Sequence, residues 1–260
     1  MKRSKLMGQI NSDIKRVTLM PNTYLCLILI VCLFWMGIWD DFKISDNDVV
    51  YYYSLSRTTL FNRISLSIVA SITAVLFCDE WESKSIWMYG TRVGVKGYVN
   101  KRIVSIVLST IFVIVSAHLF FIISLSLNRS WYTPVHDDYR LVCYPLRAFI
   151  QAGDIWKYYV FDILSNILKF STFSVIAFVA SIWSANKFVS ISTPVIVWYF
   201  SSYLMSFLHC PEGLILSNIF DGNCSISNPY LWVLYLCVVS IGMIVVMSCL
   251  GYTLLKKRID

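Results

Sequence analysis

The chain has 260 residues, of which 57% are hydrophobic and only 14% are charged, and its formal net charge is +7. A soluble domain carries about 25% charged residues, and the mean hydropathy here is +0.66, so the composition excludes a soluble globular protein. Hydrophobic segments recur along the whole length, which predicts an all-α protein with several membrane spans. Positive residues set the topology of such proteins, so the basic charge alone does not indicate nucleic-acid binding.

Residues 1–21 are polar and basic, but they contain a helical repeat of apolar residues. Four of them recur every three or four positions and so share one helix face: Leu6, Ile10, Ile14 and Val17. We therefore predict an amphipathic helix that lies at the membrane surface and ends at Pro21. A frayed basic tail that only sets the orientation of the chain is the alternative.

Six apolar segments that are long enough to cross a membrane follow, and together they predict one transmembrane domain over residues 22–260. The predicted spans are residues 22–39, 60–78, 103–127, 159–183, 188–208 and 230–255. If the amino terminus is inside, the inner segments hold twice as many Lys and Arg residues as the outer ones. The positive-inside rule therefore predicts that both termini are cytoplasmic. Residues 40–59, which include Arg57, are predicted to form an acidic outer loop.

The segment of residues 79–102 lies between the second and third predicted spans and is charged throughout. It begins with acidic residues, continues with aromatic residues and ends with glycines and bases. A charge at the bilayer centre costs about 2.5–3.5 kcal/mol, so this segment must lie at the membrane surface. Its ordered change from acid to base indicates a docking surface, and a solvated loop is the alternative.

Three polar residues lie within the fourth predicted span: Asp162, Asn166 and Lys169. Their spacing of four and three residues places them on one helix face. Asp162 and Lys169 are roughly 10 Å apart along the axis, which is too far for a direct ion pair. A lysine inside a membrane needs a partner or a water-filled path. The stripe therefore lines a transport path or a subunit interface, or else it only holds the helices together.

Two cysteines, Cys210 and Cys224, lie in the outer loop before the sixth predicted span. This is the compartment in which disulfides persist. A bridge between them would close a loop of about fifteen residues and contribute roughly 3 kcal/mol. Cys143 is a rival partner, and two free thiols are the other alternative.

The sequence contains none of the short motifs that mark a catalytic nucleophile, a zinc site or a nucleotide-binding loop. We therefore expect no catalytic residues, no metal and no cofactor on this chain. Any ATP that drives it would be bound by another subunit.

Four features resemble the membrane subunits of ABC-2-type exporters, the ABC-2 permease family. They are the amphipathic segment with its proline (LMPNTYLCL), six spans with both termini inside, the acid-to-base segment that ends YVNKRIV, and a larger outer segment before the last span. The resemblance implies that the inner segment couples to an ATPase. The corresponding residues here are Glu80, Glu82, Arg92, Lys96, Tyr98 and Lys101.

The resemblance also implies the partners and the setting of the chain. These are two copies of an ATP-binding subunit, a second permease subunit in a homo- or heterodimer, and a lipid bilayer, the bacterial cytoplasmic membrane. No nucleic acid is implied. The substrate would be amphiphilic, such as an antimicrobial peptide. A membrane-embedded immunity protein that sequesters a ligand without transport is the alternative, and an intramembrane enzyme is a third.

Overall fold

The computed structural model describes residues 21–44, 46–88, 94–133, 142–224 and 226–259, and every regular element among them is helical. The helices in chain order are α1 (Pro21–Ile44), α2 (Val49–Thr58), α3 (Leu60–Glu82), α4 (Val95–Ser126), α5 (Arg147–Gln151), α6 (Ile155–Ser184), α7 (Lys187–Phe207), α8 (Leu216–Asp221) and α9 (Pro229–Ile259). Single 3-10 turns occur at Tyr144–Leu146 and Glu212–Leu214.

Six of these helices (α1, α3, α4, α6, α7 and α9) are long and apolar enough to cross a membrane. The prediction of an all-α protein with six spans is therefore confirmed. Several helices extend beyond the predicted spans, and α4 begins at Val95 rather than at Ile103. The predicted amphipathic helix lies outside the described residues, except for Pro21. Pro21 is the first described residue of α1, and proline is tolerated in the first turn of a helix.

Helix α6 forms the centre of the bundle. It packs against α3, α4, α7 and α9. Of the residues in its most apolar stretch of 18 residues, 72% are buried. In the matching stretches, only 17% of the residues of α7 and α9 and 22% of those of α1 are buried. Most side chains in the apolar stretches of these three helices are therefore partly or fully exposed. An apolar face that is left exposed along a span suits contact with lipid or with another membrane helix.

The bundle has two ends with different constructions. At one end, Arg258 near the carboxyl terminus donates to the carbonyl of Trp183 (2.7 Å) and stacks on Trp81. The ends of α3, α6 and α9 therefore meet there, and we call this the terminal end. The opposite end, the α2 end, is covered by α2, α5 and α8. Here the backbone N–H of Val49 donates to the carbonyl of Ser130 (3.1 Å), which ties α2 to the segment after α4.

The prediction of an acidic outer loop over residues 40–59 is wrong in its conformation. Helix α1 continues to Ile44, and α2 begins after Asp48, whose carboxylate accepts from the N–H of Tyr51 (2.8 Å) as an N-cap. Helix α2 buries one face against the bundle, including Tyr52 and Tyr53. Apolar and aromatic residues in this segment drive that packing, and they outweigh the acidic residues that flank them.

Candidate functional site

The α2 end of the bundle contains a buried carboxylate that an arginine and a tyrosine hold in place. Asp162 of α6 is fully buried. It forms an ion pair with Arg57 of α2 and accepts a hydrogen bond from the hydroxyl of Tyr53 (2.8 Å). Asn166, one turn further along α6, also donates to this carboxylate (3.1 Å). A buried charge requires such partners, so these contacts fix α2 onto α6.

Hydrogen bonds extend this cluster to α4. The hydroxyl of Tyr53 lies 2.9 Å from Nδ1 of His118. Because the hydroxyl donates its proton to Asp162, His118 donates to this hydroxyl through Nδ1–H. Within the described part of the chain, Nε2 is buried without a hydrogen-bond partner. His118 therefore helps to join α4 to α2 and α6.

Lys169, the last residue of the polar stripe, has a different partner. Its ammonium group donates to the carboxylate of Asp221 in α8 (3.0 Å) and lies 4.3 Å from the ring centre of Trp198. Asp162 and Lys169 thus do not pair with each other, as their spacing predicts. All three stripe residues are buried, and the contacts described here join helices of the same chain. A role in a transport path or a subunit interface stays a prediction.

Cys143 links Arg57 to the backbone of Asp221. Its thiol donates to the backbone carbonyl of Asp221 (3.0 Å) and accepts from Nη1 of Arg57 (2.9 Å). Burial raises the pKa of the Cys143 thiol to about 11, so it is protonated at neutral pH. The loop that carries Asp221 is therefore attached both to α6, through Lys169, and to α2, through Cys143 and Arg57.

A second buried carboxylate lies at the terminal end. Glu80 in the last turn of α3 forms an ion pair with Arg102 of α4 and accepts from the hydroxyl of Tyr98 (2.7 Å). All three side chains are buried. Glu80 and Tyr98 are two of the residues predicted for ATPase coupling. In the structure their side chains bind each other, because a buried carboxylate needs hydrogen-bond donors. Their role in coupling stays a prediction.

The other residues predicted for ATPase coupling have varied surroundings. Glu82 and Lys96 are exposed and Lys101 is half-buried, whereas Arg92 lies outside the described residues. Lys187 at the start of α7 pairs with Asp79 (2.6 Å) and lies 3.5 Å from Glu82. The first half of the predicted docking segment is therefore attached to α7 as well as to α4.

An exposed rim surrounds the Glu80 cluster. It consists of Glu82, Lys84, Trp87, Met88 and Lys96. Trp87 and Met88 are 44% and 62% exposed, although both are large apolar residues. Sequence reasoning identified the acids, bases and aromatic residues of this segment, but it did not separate the buried side chains from those of the rim.

All eight cysteines lie in the described part of the chain, and all are free thiols in the structure. The predicted bridge between Cys210 and Cys224 is therefore not formed there. Cys143, the rival partner, lies against Gly222, where an added Cβ would come within 2.9 Å of the Cys143 Cβ. That close approach, together with a positive φ of 73°, explains why a glycine occupies position 222.

Comparison of the chain with protein-family models, with curated proteins and with solved structures finds no match in any of the three. Its function must therefore be inferred from its own residues and their geometry.

Proposed function

We propose that the chain is the transmembrane permease subunit of an ABC-2-type transporter. It exports an amphiphilic substrate, such as an antimicrobial peptide, while a separate subunit hydrolyses ATP. Six membrane-length helices support a permease of this kind, as does the charged segment between the second and third of them. The partners are two copies of an ATP-binding subunit and a second permease subunit, in the cytoplasmic membrane of a bacterium.

The observation that carries the proposal is the contact of Glu80 with Tyr98 and Arg102. This contact joins the last turn of α3 to the first turns of α4. These two helix ends lie on either side of the segment that connects the second and third spans. A partner that binds the rim and moves it therefore displaces two spans together. This is the mechanical property that a coupling segment needs, because binding energy at one site must bias a discrete movement at another.

The rim also has a composition that suits a protein partner. Interface cores are enriched in aromatic residues and methionine and are bordered by polar residues. Trp87 and Met88 are exposed beside the charged side chains of Glu82, Lys84 and Lys96. Trp87 is the type of residue that contributes most to binding energy in such interfaces.

The exposed apolar faces of α1, α7 and α9 support the proposed contacts with a second permease subunit and with lipid. In a dimer, part of this surface faces the second permease subunit and the rest faces lipid. Alternating exposure of a path between the two subunits would then move the substrate across the membrane.

The proposal requires the terminal end to face the cytoplasm, as the distribution of Lys and Arg predicts. Single cysteines at positions 46 and 257 in a cysteine-free chain test this with an impermeant thiol reagent. In intact cells, we expect the reagent to label position 46 and to leave position 257 protected. Labelling at position 257 from outside would contradict the orientation.

The function is tested by purifying the tagged chain from membranes of its own host and measuring substrate-stimulated ATP hydrolysis. We expect an ATP-binding subunit to co-purify, and we expect replacement of Trp87 and Met88 by alanine to reduce both its recovery and the stimulated hydrolysis. Trp156→Ala is the matched control, because Trp156 is 73% exposed but lies at the α2 end. If no ATP-binding subunit is recovered and the chain still binds its ligand, a sequestering immunity protein becomes the better account.

A further inference from the structure

A polar cavity of about 210 Å³ lies at the α2 end, beside the buried ion pair of Arg57. The residues around it include two arginines, Arg57 and Arg63, together with Cys143, Asp221 and Asn223. Its volume corresponds to about seven water molecules at roughly 30 Å³ each. It is therefore large enough for a small polar group and too small for a whole amphiphilic molecule.

Arg57 has hydrogen-bonding capacity left over for a ligand in this cavity. Its contacts with Asp162 and Cys143 both use Nη1. Nε and Nη2 make no hydrogen bond within the described part of the chain, although the side chain is only 8% exposed. A guanidinium group presents five donors in a planar fork, so the donors on Nε and Nη2 remain available to a ligand in the cavity.

Arg63, in the first turn of α3, adds a second positive charge to the cavity. Its guanidinium group stacks on the ring of Tyr199 at 5.8 Å, and Nη1 lies 3.4 Å from the hydroxyl of that residue. Among the described residues, no carboxylate forms an ion pair with Arg63. The two carboxylates nearby are both engaged, since Asp162 pairs with Arg57 and Asp221 pairs with Lys169. Among the described residues, the surplus charge of the cavity is therefore positive.

We propose that this cavity binds a phosphate group between Arg57 and Arg63, with the exposed amide of Asn223 as a further donor. Arginine forks match the tetrahedral oxygens of phosphate and hold them through charge-assisted hydrogen bonds. The cavity lies beside the first turn of α3, and the ends of membrane-spanning helices lie near the depth of the lipid phosphates. The phosphate group belongs either to a lipid head group or to a water-soluble phosphoester.

Purified full-length chain in a nonionic detergent distinguishes these two sources. One arm measures the binding of radiolabelled inorganic phosphate by equilibrium dialysis. The other measures the binding of short-chain phosphatidylglycerol, with short-chain diacylglycerol as a control that lacks the phosphate. Inorganic phosphate alone would identify a soluble ligand, phosphatidylglycerol alone would identify a lipid head group, and binding of both would show that the phosphate is sufficient. Each of these results supports the site.

Arg63→Gln tests the residues, because removal of an unpaired charge leaves the buried ion pairs intact. We expect it to weaken binding of the phosphate-bearing probe about tenfold or more. Arg63→Lys keeps the charge without the fork and should give an intermediate affinity. Lys43→Gln is the control, since it also removes a positive charge near the α2 end, at the carboxyl end of α1 and outside the cavity.

Asn223→Ala provides a second variant if Arg63→Gln does not fold, because the side chain of Asn223 is exposed. It should weaken binding several-fold. The proposal is overturned if neither phosphate-bearing probe binds, if diacylglycerol binds as well as phosphatidylglycerol, or if Lys43→Gln has the same effect as the cavity variants. No ATP-binding subunit takes part in this assay, so either outcome leaves the proposed transport function untouched.

Discussion

The two ends of the bundle use the same three chemical groups for different purposes. At the α2 end, the carboxylate of Asp162 is held by Arg57 and Tyr53. At the terminal end, the carboxylate of Glu80 is held by Arg102 and Tyr98. Each carboxylate thus accepts from one cationic and one hydroxyl donor, and Asp162 also accepts from the amide of Asn166. The two clusters differ in the distance along the chain that they bridge and in what surrounds them.

The Asp162 cluster joins segments that are 105 residues apart, and further hydrogen bonds continue from it to α4. The Glu80 cluster closes a connection of only 22 residues, and an exposed rim lies next to it. The first cluster therefore holds the tertiary arrangement of several helices, whereas the second fixes the base of one connecting segment. A buried ion pair can thus serve the whole fold or a single local movement, depending on which elements it joins.

Asp162→Asn should have the largest effect on stability. It leaves the nearly buried Arg57 without its counterion, and breaking a buried pair in this way costs about 3–5 kcal/mol. Unfolding of the purified protein in mixed micelles with increasing denaturing detergent measures the change in free energy. Asp154→Asn is the control, because the pair of Asp154 with Lys157 is exposed to solvent, and its removal should leave the unfolding midpoint unchanged.

Glu80→Gln should have a smaller effect, because Glu80 is 6% exposed and keeps some contact with solvent, whereas Asp162 is fully buried. We expect a loss of about 1.5–3 kcal/mol, the contribution of a hydrogen bond to a charged group. Glu82→Gln is the matched control, since Glu82 is exposed two residues away. Equal midpoints for the two variants in the same unfolding assay would contradict the assignment of Glu80 to a buried cluster.

Removal of the two tyrosine hydroxyls compares the clusters directly. Tyr53→Phe removes contacts with both Asp162 and His118 and should cost about 1–3 kcal/mol. Tyr98→Phe removes the contacts of this hydroxyl with Glu80 and Arg102, but Tyr98 is 8% exposed whereas Tyr53 is fully buried, so the cost should be smaller. Guanidinium unfolding of detergent-solubilised protein gives both values. A larger loss for Tyr98→Phe would reverse the order that we assign to the two clusters.

The smallest effect concerns the reactivity of Cys143. Because burial raises its pKa to about 11, only about one thiol in a thousand is ionised at pH 8. We expect alkylation of Cys143 in the folded protein to be slow and to accelerate about tenfold per pH unit until about pH 11. Peptide mass spectrometry measures the rate, with Cys210 as the half-buried reference. A flat rate between pH 8 and pH 10 would contradict the raised pKa.

The same peptides also test the predicted disulfide. If Cys210 and Cys224 become alkylated only after reduction, the bridge forms in the mature protein. If both react without reduction, the free thiols of the structure describe them correctly.

The six spans could be predicted because each contains a continuous apolar segment of about twenty residues. The start of α4 could not, because Lys96, Lys101 and Arg102 interrupt the apolar pattern while the helix itself continues back to Val95. Burial of Tyr98 depends on Glu80, a residue in another helix. Periodicity within one helix gives no information on such a partner.

The same limit explains the α2 end. The spacing of Asp162, Asn166 and Lys169 correctly placed them on one helix face, but it could not identify Arg57 or Asp221 as their partners. Arg57 lay in a segment predicted as an acidic loop. The run of apolar and aromatic residues from Val49 to Tyr53, directly after Asp48 as an N-cap, was the signal that could have identified α2.

The central position of α6 has a consequence for how the chain enters the membrane during synthesis. Lys169, near the middle of α6, opposes insertion by about 2.5–3.5 kcal/mol when α6 is presented alone, whereas Asp162, nearer to the α2 end, opposes it less. Arg57 has already been synthesised when Asp162 emerges from the ribosome, whereas Asp221 follows Lys169 by 52 residues. Asp162 can therefore be neutralised as soon as α6 is made, whereas Lys169 has to await the synthesis of α8. We expect truncation before residue 221 to leave α6 less well inserted.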